Sequence, residues 1–187
     1  DVYKRQINPG VAISGGSTGV IAGGSSLGTL SNSGQLSGSW LGIYVDGNTI
    51  EEINNASSAS INGSTYGIGI YSSSSLVRTL TNSGTIGTIV NGFNGIYNEG
   101  TINTLINNSD GVISGGSVNA AIYNSRTIGT ISNSGLINGG TSSLGATSYY
   151  SSGIDNRRTI NVINNNSSGT IYGQFSGVYN YRGSGTA

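Results

Sequence analysis

The sequence predicts an all-β fold: a right-handed parallel β-helix with three short strands per coil and about 26 residues per coil. Three observations predict it. Short apolar pieces recur at a near-constant period. Each piece is only two to four residues wide, too narrow for the apolar stripe of an amphipathic helix. The residues between them are mostly Gly, Asn, Ser and Thr, with 33 Gly among 187 residues, a usage that favours strands and turns. Helical solenoid repeats are longer, roughly 33 residues or more, and richer in Ala, Leu, Glu and Lys.

The first element of each coil is Gly or Ala, then a β-branched residue, then usually Tyr. Val20, Ile43, Ile70, Ile96, Ile122, Ile154 and Val178 anchor it, spaced 23 to 32 residues apart. The second element is an apolar-x-x-apolar pair: Leu27/Leu30, Ile50/Ile53, Val77/Leu80, Ile102/Leu105, Ile128/Ile131 and Ile160/Ile163. The third follows a polar turn of the "NSG" kind and centres on Leu36, Ile61, Ile86, Ile113, Ile137 and Ile171. Partial repeats flank these at 7–16 and 177–187, so 7–187 reads as a single solenoid of six to seven coils. Coils stacked at about 4.8 Å would give a rod about 30 Å long. Right-handedness follows from the preference of parallel crossovers. A lone coil buries nothing; stacked coils bury Ile on Ile and pair each backbone with the coils above and below.

Composition excludes several functions. Only 7% of residues are charged and the formal net charge is zero, so nothing draws the chain to nucleic acid or to an anionic membrane. There is no Cys and no His, which removes disulfides, thiolate metal sites, cysteine catalysis and the commonest general base. No apolar run approaches the ~18 residues of a membrane-spanning helix. Residues 1–6, "DVYKRQ", carry the sole Lys and stand apart from the repeat. They resemble a translated sequencing adapter, and no role is expected of them.

In a parallel solenoid, equivalent positions form columns. The residue after each anchor reads Tyr44, Tyr71, Tyr97, Tyr123, Asp155 and Tyr179. Strand alternation turns this column outward. It reads either as an aromatic strip for glycan or surface contact, or as a stacked ladder that only stabilises the sheet. The next column, Asn98, Asn124, Asn156 and Asn180, reads as a structural amide ladder, as do the turn residues Asn32, Asn82 and Asn133. Trp40, Tyr66, Phe93, Val118, Tyr150 and Phe175 precede the anchors and are expected to plug a corner of the coil as core. The longest repeat carries an insertion at 141–152, where Tyr149 would suit a binding loop.

Chemistry finds little footing. Asp46 and Glu99 would lie two coils apart with Ser73 between, roughly 9–10 Å by the coil rise, near the spacing of an inverting carboxylate pair. With only seven acids a chance match of this kind is easy, so no enzyme activity, metal or cofactor is expected. Thr49, Thr101, Thr127 and Thr159, with Thr29, Thr79, Thr104 and Thr130, raise ice binding. Their three-residue spacing would set the two ranks on opposite sides of a regular strand. Glu51 and Arg78 are placed for a surface ion pair and Arg126 stacks on Arg158 with like charge; all four read as residues of a solvated face.

The iterated "GIYNEGTINTLINNSDGVISGG", "AIYNSRTIGTISNSGLINGG" and "TLTNSGTIGTI" resemble the passenger domains of Gram-negative autotransporter proteins. The resemblance runs from Ile7 onward. It implies a secreted β-helical stalk at the bacterial cell surface, adhesive toward host surfaces or glycans, and it suits a chain without Cys. It also implies an export signal and a C-terminal outer-membrane barrel outside this segment, which itself inserts into no membrane. The other readings are a polysaccharide-degrading β-helix enzyme or tailspike-like depolymerase, and an ice-binding solenoid.

Overall fold

A computed structural model of the chain describes residues 3–8, 10–24, 26–88, 92–140 and 150–181. They form three parallel sheets of seven strands each and no helix. Sheet A runs from the strand Tyr3–Ile7 to Thr159–Asn165, sheet B from Ala12–Gly15 to Thr170–Tyr172, and sheet C from Thr18–Gly23 to Ser176–Asn180. The chain visits C, A and B in turn and returns to C one coil further on, making a β-solenoid of about six turns with three strands per coil. Residues 3–6 of the charged opening lie in the first strand of sheet A, paired with Leu27–Asn32.

The expected apolar columns are the observed ones in sheets A and B. Leu27, Ile50, Val77, Ile102, Ile128 and Ile160 stand in register, as do Leu30, Ile53, Leu80, Leu105, Ile131 and Ile163. Leu36, Ile61, Ile86, Ile113, Ile137 and Ile171 line sheet B. All meet in one interior cluster, from which the middle coils exclude water completely. Each buried Ile side chain contributes about 1.5–3 kcal/mol.

Sheet C corrects one anchor. Its column is Val20, Ile43, Ile68, Ile96, Ile122, Ile154 and Val178, with Ile68 in place of Ile70. The segment "YGIGIY" offers two Gly-Ile pairs, and the corner decides between them. A Cβ on Gly67 would lie 2.8 Å from the backbone oxygens of Gly87 and Gly95, so only glycine fits there, as at Gly42 and Gly95. Around Gly69 the nearest atoms are side chains. Gly67 therefore takes the corner and Ile68 follows it inward. Ile70 is buried too, but beneath Asn98 in the next column.

Two threads of amides run along the stack, buried in all but the last coil. Asn32, Asn55, Asn82, Asn107, Asn133 and Asn165 form one, each Nδ2 donating to the next Oδ1 at 2.8 Å. Asn98, Asn124, Asn156 and Asn180 form the other at 2.7–2.8 Å. Most Nδ2 groups also donate to a carbonyl at the turn, as Asn82 does to Val112. A buried amide without partners is costly, so these turn residues are structural, as expected.

Candidate functional site: an aromatic strip on sheet C

After the corner residue, which is Gly except for Ala121, each sheet C strand points its Ile or Val inward and the next side chain outward. The outward column reads Ile21, Tyr44, Gly69, Tyr97, Tyr123, Asp155 and Tyr179. The expected column holds Tyr71 in place of Gly69; the corrected register moves Tyr71 two residues on, opposite Asp46. Its ring nevertheless takes the vacant place. Residues two apart share a face of a strand, and Tyr71 folds back over Gly69, its Cε2 lying 2.7 Å from where a Cβ would stand. The ring file is thereby continuous. Tyr44 to Tyr71 is 5.2 Å between centroids, Tyr71 to Tyr97 5.5 Å, and Tyr97 to Tyr123 5.2 Å with the planes 5° apart. Tyr149 lies outside the described residues.

Trp40, Tyr66, Phe93, Val118, Tyr150 and Phe175 do not plug the interior. Phe93 is 53% exposed and Trp40 40%. The corner that precedes each anchor is filled by backbone at the glycine column, so a large side chain there turns out of the coil. These residues make a second file beside the tyrosines. Trp40 lies 5.8 Å from Tyr44, Tyr66 stacks on Tyr97 at 4.6 Å, and Phe175 meets Tyr179 edge-on at 5.7 Å. Leu41 is fully buried yet outside the interior cluster, with its Cδ2 2.6 Å from the missing Gly69 Cβ. It is the floor of this outer aromatic layer. A cleft of about 320 Å³ opens in the layer, walled by Tyr66, Phe93, Tyr97, Tyr123 and Tyr150, with Asn119 at its edge.

No family model, curated protein or solved structure matches the chain.

The strip's polar groups are tethered locally. The Tyr44 hydroxyl donates to Asp46 at 3.1 Å and the Tyr97 hydroxyl to Glu99 at 2.5 Å. Burial raises the pKa of Tyr44, Tyr66, Tyr71 and Tyr97 above 10.0, and the neighbouring carboxylates add to it. Asp155 breaks the tyrosine file, and Arg157 answers it two residues on. Its Nε and second terminal nitrogen donate to the two carboxylate oxygens at 2.6 and 2.9 Å. The guanidinium carbon sits 5.0 Å from the Tyr181 ring centre, 5.6 Å from Tyr179 and 5.9 Å from Tyr150. Burial lifts the Asp155 pKa and Arg157 opposes the lift. Both interruptions of the file, Gly69 and Asp155, are thus covered by a flat group from residue i+2.

Tyr71, not Ser73, lies between the Asp46 and Glu99 coils, because the register of sheet C moves. Thr101 and Thr104 are both partly exposed while Ile102 and Leu105 are fully buried. The strand is therefore no regular two-residue alternation, and the two threonine ranks share the outer side. Those ranks are broken by Leu76, Glu52 and Val162. Glu51 and Arg78 make the expected ion pair, at 2.8 Å and half exposed, which contributes under ~1 kcal/mol. No cluster of metal-ligating side chains occurs among the described residues.

Sequence reasoning found the tyrosine file but not its second file, nor its two patches. The signal for the patches is present: a missing ring followed at i+2 by Tyr or Arg.

Proposed function

We propose that the chain is an adhesive cell-surface module, the β-solenoid stalk of an autotransporter passenger, and that the aromatic strip of sheet C makes the contact with glycans. The observation that carries this is the exposed second file. A ladder that only braced the sheet would be complete with the half-buried tyrosines. Phe93, Trp40, Tyr150 and Phe175 instead hold large apolar faces in water beside the strip, where a contiguous apolar patch marks an interaction surface. Flat ring faces with polar rims suit the apolar faces of sugar rings, and the rigid sheet holds them in place before binding. The repeat resemblance supports the extracellular, surface-anchored setting. In this reading the chain performs no reaction on its ligand.

Glycan-array binding tests it. The double substitution Tyr71→Ala with Tyr97→Ala is expected to abolish binding while the far-UV circular dichroism stays that of a β-solenoid. Binding unchanged by that pair removes the strip from the mechanism. Release of reducing sugar from a bound polysaccharide, abolished by Glu99→Gln, would replace adhesion with the enzyme reading. Sequence downstream in a complete gene should show the ~10-residue alternating strands of an outer-membrane barrel.

A further inference from the structure

We infer that the groove beside the strip is an oxyanion site, and that the glycan held by the strip is acidic, carrying carboxylate or sulfate groups. The inference deepens the glycan-binding reading and rests on it. The corner between sheets C and A opens a groove of about 510 Å³. Arg126 and Arg158 line it together with hydroxyl residues, among them Ser72, Ser73, Thr127 and Thr159.

Three features point to a ligand anion. Arg126 and Arg158 occupy equivalent places on neighbouring coils, since Asn124 pairs with Asn156 and Thr127 with Thr159, so two like charges stand about one coil rise, ~4.8 Å, apart at their backbones. Neither takes part in an ion pair among the described residues, where Arg78 is held by Glu51 and Arg157 by Asp155. Like charges so placed repel, and an oxyanion between them relieves the repulsion while guanidinium forks and hydroxyls donate to it. Glu99 also lines the groove, with its carboxylate engaged by the Tyr97 hydroxyl. That bond joins the groove wall to the strip, so a polymer lying on Tyr97 and Tyr123 has the two arginines beside it. Because the whole chain has zero formal net charge, preference for an acidic polymer needs a local source such as this.

The test compares three probes on the intact chain: polygalacturonate for carboxylate, dextran sulfate for sulfate and dextran as the neutral polymer. We expect one acidic polymer to bind at least tenfold more tightly than dextran, with the excess falling as salt rises. The double variant Arg126→Gln with Arg158→Gln should lose that excess and keep its melting temperature. Arg126→Lys with Arg158→Lys should restore part of it. An excess that survives the Gln pair overturns the groove but leaves the strip. Acidic and neutral polymers bound alike by the unaltered chain also overturn it, and the Tyr71/Tyr97 variant then judges the strip alone. Binding of none of these, with an empty glycan array, sinks both.

Discussion

Tyr71 lies over Gly69, two residues back on the same outward face, and so keeps the aromatic file unbroken where the column lacks a side chain. The pair behaves as one unit. Gly69→Ala would push a methyl to 2.7 Å from the ring and 2.6 Å from Leu41, and should cost about 1–3 kcal/mol as overpacking. Tyr71→Ala uncovers Leu41 and, the ring being half-buried, should cost about 1–2 kcal/mol. Because one of the two close contacts is with the ring, Tyr71→Ala relieves part of the clash, and the double variant should be less destabilised than the sum, by about 0.5 kcal/mol or more in a denaturant-based double-mutant cycle.

Asn107 sits in mid-thread. It donates to Asn133 and accepts from Asn82, with both bonds buried. Asn107→Ala should cost about 2–3 kcal/mol by stranding two amides. Asn165→Ala, in an exposed place at the end of the same thread, should cost well under half as much. Equal losses at the two positions, read from urea midpoints, would show that the buried mid-thread amides contribute no more than the exposed end.

Asp155 gives the molecule an acid-side signature. Its carboxyl holds its proton more tightly folded than at the ordinary 3.8, because it is buried. The stabilising increment is therefore full below pH 3.8 and is lost as pH rises through the raised folded value. Arg157→Gln removes the group that opposes the shift. The variant's deficit in melting temperature should then be small in acid and grow toward neutral pH. Asp155→Asn should flatten the dependence.

Tyr44, Tyr66, Tyr71 and Tyr97 should resist ionisation. The folded state keeps their protons above pH 10.0 while the unfolded chain releases them there, so stability from this source is full below that pH and drains away above it. An ultraviolet phenolate titration should show these groups ionising only as the chain unfolds. Tyr97→Phe should remove one late equivalent.

The solenoid was legible because its interior is written in one alphabet. Ile86, Ile102 and Leu105 recur at fixed offsets, and parallel stacking turns offset directly into contact. The outer face is less legible, because its contacts depend on where a side chain leans. Tyr71 looks like the neighbour of an inward Ile70 until the crowding at Gly67 is known, and that crowding comes from the backbone of Gly87 and Gly95 on the same and the next coil. Trp40 and Phe93 read as core because aromatic residues usually are; only the glycine-filled corner shows that the interior has no room for them. Arg157 draws no attention in the sequence, because its role shows only when Asp155 and the rings around it are placed together.

The amide threads carry a consequence for how such a chain can change length. Each coil offers its successor the same interface: an amide oxygen in one place, an inward aliphatic in four others. Excising residues 83–107 would join Asn82 to Asn108, where Ser83 now follows, and bring the neighbouring coils together with each column still matched. Rod length is thus a matter of copy number. The height at which the strip is presented can be set by adding or removing whole turns, without any new contact having to be invented.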